Sequence, residues 1–304
     1  PTAVRLLAAQ RHVPGSRLRE VTTADAAALA EGFVDLHMHS TASDGSRSPS
    51  DVVRESKRVG LCAIALTDHD TLDGLAEAEA VGAELGVRVV RGVELSAVEG
   101  NVETHILGLH LADTLELEAK LVELREMRRT RAERIVAKLN ELGVRIELRS
   151  VLEQAAGGSI GRPHVARALI AEGWAVDFRD AFERYLGNGK PAYVMKDRLA
   201  VRDAIDLIHR TGGLAVLAHP SSGGTRERIE TFVREGIDGV EVRHPSHSAE
   251  DIARLSALVE HFSLVPSGGS DWHGAAEGAR ILGMMRVPRA WLERQDGRVR
   301  VRAA

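Results

Sequence analysis

The chain has one cysteine in 304 residues, Cys62. A single thiol excludes an intrachain disulfide and any cysteine-based zinc cluster, and it fits a reducing compartment. Aromatic residues make up only 3% of the chain against 44% hydrophobic residues in all, so the core must be aliphatic. Neither sign of charge dominates, because 40 Lys and Arg against 44 Asp and Glu leave a formal net charge of −4. No global basic field is present to attract duplex DNA, although a local basic pocket stays open. No apolar run approaches the roughly 20 residues that a membrane-spanning helix needs. The first residues also lack the charged, apolar and small-residue segments of a signal peptide. The expectation is a soluble, cytoplasmic protein with no membrane partner, long enough to bury a large core without staples.

What the chain does have is a regular alternation of apolar runs and amphipathic segments. Residues 33–39, 62–67, 88–93, 103–111, 214–218, 239–242 and 262–266 read as strands. Residues 50–59, 74–85, 201–209, 226–234 and 248–261 read as helices, and the alternation predicts a parallel α/β layout. From Ala112 to about Tyr185 the pattern changes to charged helix, with Leu117, Leu121, Leu124, Ile135 and Leu139 spaced along one segment. This predicts a helical subdomain inserted into the α/β body. The alanine-rich stretch Thr23–Ala30 reads as a short helix with no chemistry assigned to it.

Chemistry-bearing residues cluster where the strands end. In Val34-Asp35-Leu36-His37-Met38-His39-Ser40, the period of two puts His37 and His39 on one face. The polar turn that follows carries Asp44. Thr67-Asp68-His69-Asp70, Gly92-Val93-Glu94, His105, His219-Pro220 and Ser270-Asp271-Trp272-His273 each flank an apolar strand. A lone histidine in such a place is ordinarily a cap or a packing residue, but open α/β folds and barrels build their sites at strand ends. Neutral imidazoles and carboxylates suit manganese, zinc and ferrous iron, and there are more of them than one tetrahedral ion requires. Two or three divalent metal ions are implied. His110 faces away from His105, and His12, His209 and His261 read as structural.

In order and context, these motifs with Ser43-Asp44-Gly45 and Thr104-His105-Ile106-Leu107-Gly108 resemble the PHP (polymerase and histidinol phosphatase) family of metal-dependent phosphoesterases. The resemblance covers about residues 33 to 285. It implies a distorted (β/α)7 barrel in two parts, residues 33–111 and 200–304. An inserted helical cap at 112–199 would separate them, and an N-terminal extension at 1–32 would precede them. It also implies a ligand set: His37, His39, Glu94 and Asp271 for a first metal, Glu94 bridging to a second with His105 and His219, and Asp44, His69 and His273 for a third. Glu94, Asp271 and His273 are the catalytic candidates, acting through a metal-activated hydroxide, with Mn²⁺ first in line and Zn²⁺ or Fe²⁺ as alternatives. Asp35, Asp68 and Asp70 are expected to orient ligand imidazoles.

Arg162 and His164 in Gly161-Arg162-Pro163-His164, and Lys190 in a glycine-rich turn, are candidates to hold a second phosphate. In Arg243-His244-Pro245-Ser246-His247, His244 and His247 are candidate substrate contacts, while Arg243 departs from the family branch's Tyr-His-Pro pattern. The branch resembled implies removal of the 3′-phosphate from nucleoside 3′,5′-bisphosphates, or 5′-to-3′ trimming of short 5′-phosphorylated single-stranded RNA. The small net charge favours a mononucleotide over long RNA. The rival readings are a histidinol-phosphate or other small-molecule phosphomonoesterase, a non-catalytic metal-binding module, and an amidohydrolase. A monophosphate needs no second anion site, the ligand positions are intact, and an amidohydrolase would use a different ligand pattern.

Overall fold

The computed structural model describes residues 32–303 apart from 101, 196–198, 277 and 279; the helix expected at Thr23–Ala30 lies outside the described residues. Strands β1 (Phe33–Met38), β2 (Leu61–Leu66), β3 (Arg88–Glu99), β4 (Val102–Leu109), β5 (Leu214–Leu217), β6 (Gly239–Arg243), β7 (Val265–Gly268) and β8 (Val287–Pro288) form one sheet. Their order is β7-β6-β5-β4-β3-β2-β1-β8. Helices α1 (Pro49–Arg58), α2 (Leu75–Leu85), α7 (Val201–Arg210), α8 (Arg226–Glu235), α9 (Ala249–His261) and α10 (Arg289–Ala303) alternate with the strands. Local signals set their ends. Ser48 accepts the Asp51 N–H at 3.1 Å ahead of Pro49, and Ser248 and Asp251 close a capping box on α9.

The sheet departs from the parallel layout in one instructive place. β3 does not stop at Val93 but runs on to Glu99, turns at Gly100 (φ +61°) and returns as β4. β4 is therefore antiparallel to both β3 and β5, while β1–β2–β3 and β5–β6–β7 are parallel. With no helix between them, β3 and β4 pair directly as a hairpin, which requires opposite directions. The N-terminal end of β4, with His105, consequently lies on the same rim as the C-terminal ends of the parallel strands.

The sheet curls until its ends nearly meet. His37 O accepts the Asp271 N–H and Trp272 O accepts the His39 N–H, each at 2.9 Å, so the segment after β7 pairs with β1. Gly269 permits the approach, since a Cβ there would stand 2.4 Å from the Cβ of His37. Val34, Leu36, Ala65, Leu107, Leu109 and Val216 pack in one aliphatic cluster inside the strands, and Met38, Ile64 and Leu66 pack outward with α1 and α2. A register shift in β1 between Asp35 and Met38 separates Leu36 from Met38 in this way while both histidines face the barrel mouth. Among the largest fully buried side chains only Phe232 is aromatic, as the composition requires.

Between β4 and α7 lie α3 (Leu115–Glu141), α4 (Leu148–Ala155), α5 (Arg162–Ala171) and α6 (Phe178–Ala181), the last running into a π-helical turn Phe182–Leu186. Ile135, Leu139, Val151, Leu169 and Leu186 give these helices an aliphatic cluster of their own.

Candidate metal centre

The strand ends deliver their polar residues to one cluster around a cavity. β1 presents His37 and His39, whose rings lie 5.2 Å apart, and β3 presents Glu94. His69 reaches Glu94 through a parallel bridge between their backbones. Asp271 and His219 are held with φ of +49° and +30°, a left-handed conformation that non-glycine residues adopt only where the surroundings impose it. The cavity, about 260 Å³, is lined by Asp44, His69, Glu94, His105, His219, Asp271 and His273 from the barrel. Gly161, Arg162, Pro163 and Phe182 close it from the helical segment.

The donor atoms converge closely. Nε2 of His37 lies 3.2 Å from Oε2 of Glu94 and 3.5 Å from Oδ1 of Asp271; Nε2 of His39 lies 3.1 and 3.2 Å from the same two oxygens. Bonds of 2.0–2.2 Å to a tetrahedral ion would place neighbouring ligand atoms about 3.3–3.6 Å apart, close to these separations. The other carboxylate oxygen, Oε1 of Glu94, meets Nδ1 of His105 at 2.7 Å and Nε2 of His219 at 3.1 Å. Asp44 stands 3.1 Å from Nε2 of His273 and 3.9 Å from Nε2 of His69. His39, Asp44, His69 and His273 form one group able to hold a metal, and His69, Glu94 and His105 another.

Burial and charge make the case for cations. Both ring nitrogens of His39 and Nδ1 of His69 are buried and make no well-directed hydrogen bond, although carboxylate oxygens of Glu94 and Asp271 stand 3.1–3.3 Å from Nε2 of His39 and Nδ1 of His69. An orphaned buried polar atom is costly unless a ligand satisfies it. Burial disfavours a charged His37 and His39, but the surrounding carboxylates outweigh it. Glu241, Glu94 and Asp271 hold the His37 ring well above its ordinary value, and Asp271 and Glu94 push His39 up to about 10. Burial likewise opposes ionisation of Glu94, Asp44 and Asp271, yet the crowding imidazoles hold all three well below the usual carboxylate range. Protons on His37 and His39 thus balance a cluster of buried negative charge, which is what bound cations would do. The residues fit a metal.

Several expected roles are redistributed. Asp35, Asp68 and Asp70 are held by groups other than imidazoles. Asp35 accepts the Ser270 N–H at 2.9 Å, and burial raises its carboxyl to about 6. Asp68 accepts from the Ser40 N–H at 2.7 Å and the Ser43 hydroxyl at 2.6 Å, and Asp70 from Nε of Arg128 at 2.5 Å. The orienting carboxylate is Glu241, fully buried on β6, 3.1 Å from Nδ1 of His37 and accepting the His219 N–H at 2.7 Å. Its alternating position opposite Val240 and Val242 was the available signal in the sequence.

Of the substrate candidates, Arg162 lines the cavity, whereas Lys190 is exposed and stands outside its lining. Nδ1 of His164 accepts the Gly161 N–H at 2.9 Å, and burial drops its ring to about 4, so it caps α5 as a neutral group. His247 spends both nitrogens on backbone, Val242 O at 2.9 Å and the Ser221 N–H at 3.1 Å. His244 is buried behind Asp271, 3.3 Å from its Oδ2. Arg243 turns to the carbonyls of Met285 and Arg286 and stacks 5.4 Å from the ring of Trp291. His110 binds Gln295, and His209 binds Asp238, both away from the cavity. Arg128 and Arg131 on α3, Glu103 on β4 and Arg280 in the loop after β7 line the cavity without having stood out in the sequence, where isolated charges read as solvated. Arg280 pairs with Oδ2 of Asp271 at 2.7 Å.

A family model, the PHP domain, matches residues 35–188. The chain belongs to the PHP family. It is 37% identical to a 3′,5′-nucleoside bisphosphate phosphatase of Chromobacterium violaceum, over 82% of this chain and 90% of that protein. It is 36% identical to the 5′-3′ exoribonuclease Rnm of Escherichia coli, over 79% of this chain and 84% of that one. A solved Bifidobacterium adolescentis chain assigned as a metal-dependent phosphoesterase superposes with a TM-score of 0.80 at 29% identity, covering 87% of this chain and 96% of its own. The PHP barrel with its His and Asp cluster is accordingly that of a metal-dependent hydrolase of phosphoesters. Among the described residues no helix is long and apolar enough to cross a membrane.

Proposed function

We propose that this protein removes the 3′-phosphate from nucleoside 3′,5′-bisphosphates. The observation that carries the reading is a cavity with two kinds of wall. One wall is the metal cluster. On the other, Arg162 and Arg131 converge, and Nη2 of Arg131 is buried with no hydrogen-bond partner. Burial pulls the Arg131 guanidinium down to about 10, with Arg162 and Arg128 adding to the effect against the pull of Glu103, so it still carries its charge at neutral pH. A buried guanidinium that lines a metal cavity, tied by Nε to the Val194 carbonyl at 2.8 Å but with Nη2 making no hydrogen bond, suits a phosphate that is bound but not cleaved.

In this reading two or three divalent cations, Mn²⁺ first with Zn²⁺ or Fe²⁺ as alternatives, are held as the motifs imply. His37, His39, Glu94 and Asp271 take one, Glu94 with His105 and His219 a second, and Asp44, His69 and His273 a third. The cations supply the charge that activates water and neutralises phosphate oxygens. Glu94 would be a ligand shared by two of these sites, Glu241 would fix the tautomer of His37, and Arg131 and Arg162 would align the distal phosphate. The helical segment at 112–199 serves as the cap that supplies these arginines and excludes water. The relatives' names support this substrate class and keep short 5′-phosphorylated RNA as a second substrate, because the same arginines would take its 5′-phosphate.

The test is phosphate release from adenosine 3′,5′-bisphosphate with Mn²⁺, beside adenosine 5′-monophosphate and histidinol phosphate. Preferential release leaving the 5′-monophosphate is expected. Activity on histidinol phosphate alone would keep the metal chemistry and refute the two-phosphate pocket.

A further inference from the structure

Glu103 is a charged group of the cavity that the reaction outlined above does not use. It precedes His105 by two residues on β4, so both side chains point to the barrel mouth. Its Oε1 stands 3.3 Å from Nε2 of His105. Its Oε2 stands 3.4 Å from Nη2 of Arg162 and 3.9 Å from Nη2 of Arg131. His105 turns its other nitrogen, Nδ1, toward Glu94 at 2.7 Å. One carboxylate therefore spans from the back of a proposed metal ligand to the arginines of the proposed phosphate pocket.

We propose that Glu103 is a positioning residue that couples occupancy of the phosphate pocket to metal binding at His105. The inference rests on the two-phosphate reading. Arg162, Arg131 and the N–H of His105 share one carboxylate. A nucleotide phosphate offers the guanidinium groups a stronger, charge-assisted partner and loosens their hold on Glu103. The charge released falls on the Nε2–H of His105, and the polarised ring donates more strongly to a cation through Nδ1. A carboxylate behind a histidine ligand changes metal affinity by roughly 10- to 100-fold, which bounds the coupling. Linkage makes the effect reciprocal, so a bound cation tightens phosphate binding in the same ratio. The distal phosphate would then raise kcat as well as lower KM, because it completes the metal centre.

The experiment measures Mn²⁺ affinity by competition with a chelator, with and without saturating adenosine 5′-monophosphate, with nucleotide binding followed in parallel. In the wild type the nucleotide is expected to tighten Mn²⁺ by about 10-fold, and in Glu103→Gln by less than about twofold, with Glu103→Asp partly restoring the effect. Arg162→Met gives an independent reading. With Glu103 intact it should tighten Mn²⁺ without nucleotide, and the gain should vanish in the double variant Arg162→Met/Glu103→Gln. Nucleotide that binds yet tightens Mn²⁺ equally in wild type and Glu103→Gln would mean direct contact between phosphate and metal, and would overturn the proposal. Nucleotide that binds the wild type with no effect on Mn²⁺ would overturn it too, leaving the two-phosphate reading in place. No nucleotide binding at all would overturn both.

Discussion

Loading the metal-free protein with Mn²⁺ at pH 7 should release about two protons for the first ion bound, because His37 and His39 must both surrender Nε2. Neither is neutral beforehand. His39, pushed up to about 10, lies about three units above the working pH, and His37 is also held well above its ordinary value. Freeing His39 alone costs about 4 kcal/mol, at ~1.36 kcal/mol per unit. Raising the pH removes the competing protons, so the apparent affinity should rise about 100-fold from pH 6.5 to 7.5 and flatten toward about 10. Calorimetric titration in two buffers of different ionisation enthalpy counts the protons. The stability of the metal-free protein follows the same sign. A raised histidine stabilises fully below its unfolded value of ~6.5, and that stability is lost as pH climbs through its folded value. The melting temperature of the metal-free form should therefore fall toward alkaline pH, and that of the loaded form should not. Release of less than about half a proton, with affinity independent of pH, would refute the view that protons on these rings stand in for cations.

Other outcomes follow from particular contacts. Glu94→Ala should lower kcat by at least ~10³-fold by removing the shared ligand, and near-wild-type turnover in a metal-replete preparation would refute the bridge. Glu241→Gln should weaken the first metal by about 10- to 100-fold with little change in melting temperature, read by chelator competition. Arg131→Ala should reduce kcat/KM for the bisphosphate by at least ~10-fold and leave an aryl phosphate nearly unaffected, whereas Lys190→Ala should change neither by more than about twofold. Gly269→Ala should cost about 1–3 kcal/mol in denaturant unfolding, since its Cβ would overlap His37.

The division between what was legible in the chain and what was not has a physical basis. Local order carried much of the architecture. The alternation of apolar runs and amphipathic segments placed β1, β2, β5 and β6 and helices α1, α2, α7, α8 and α9 within a few residues, and the interruption at Ala112 marked the helical segment. The period of two put His37 and His39 on one face, and motifs at strand ends picked out Glu94, His219 and Asp271; the fold brings the last three to one cavity and sets the two histidines against its carboxylates. The sequence by itself therefore determined which residues bear the chemistry and at which end of their strands they stand. Tertiary structure alone decided the rest. It reversed β4, so that the start of that strand, where the sequence already placed His105, lies on the common rim. It gave the orienting role to Glu241 and tied Asp35, Asp68 and Asp70 to backbone and to Arg128. It brought Arg131 to the cavity and left Lys190 outside. The reason is range: propensity and periodicity act over a few neighbours, whereas the partner of a buried charge is chosen by burial among segments distant in the chain. His37 and Glu241 are 204 residues apart, and only closure of the barrel makes them neighbours.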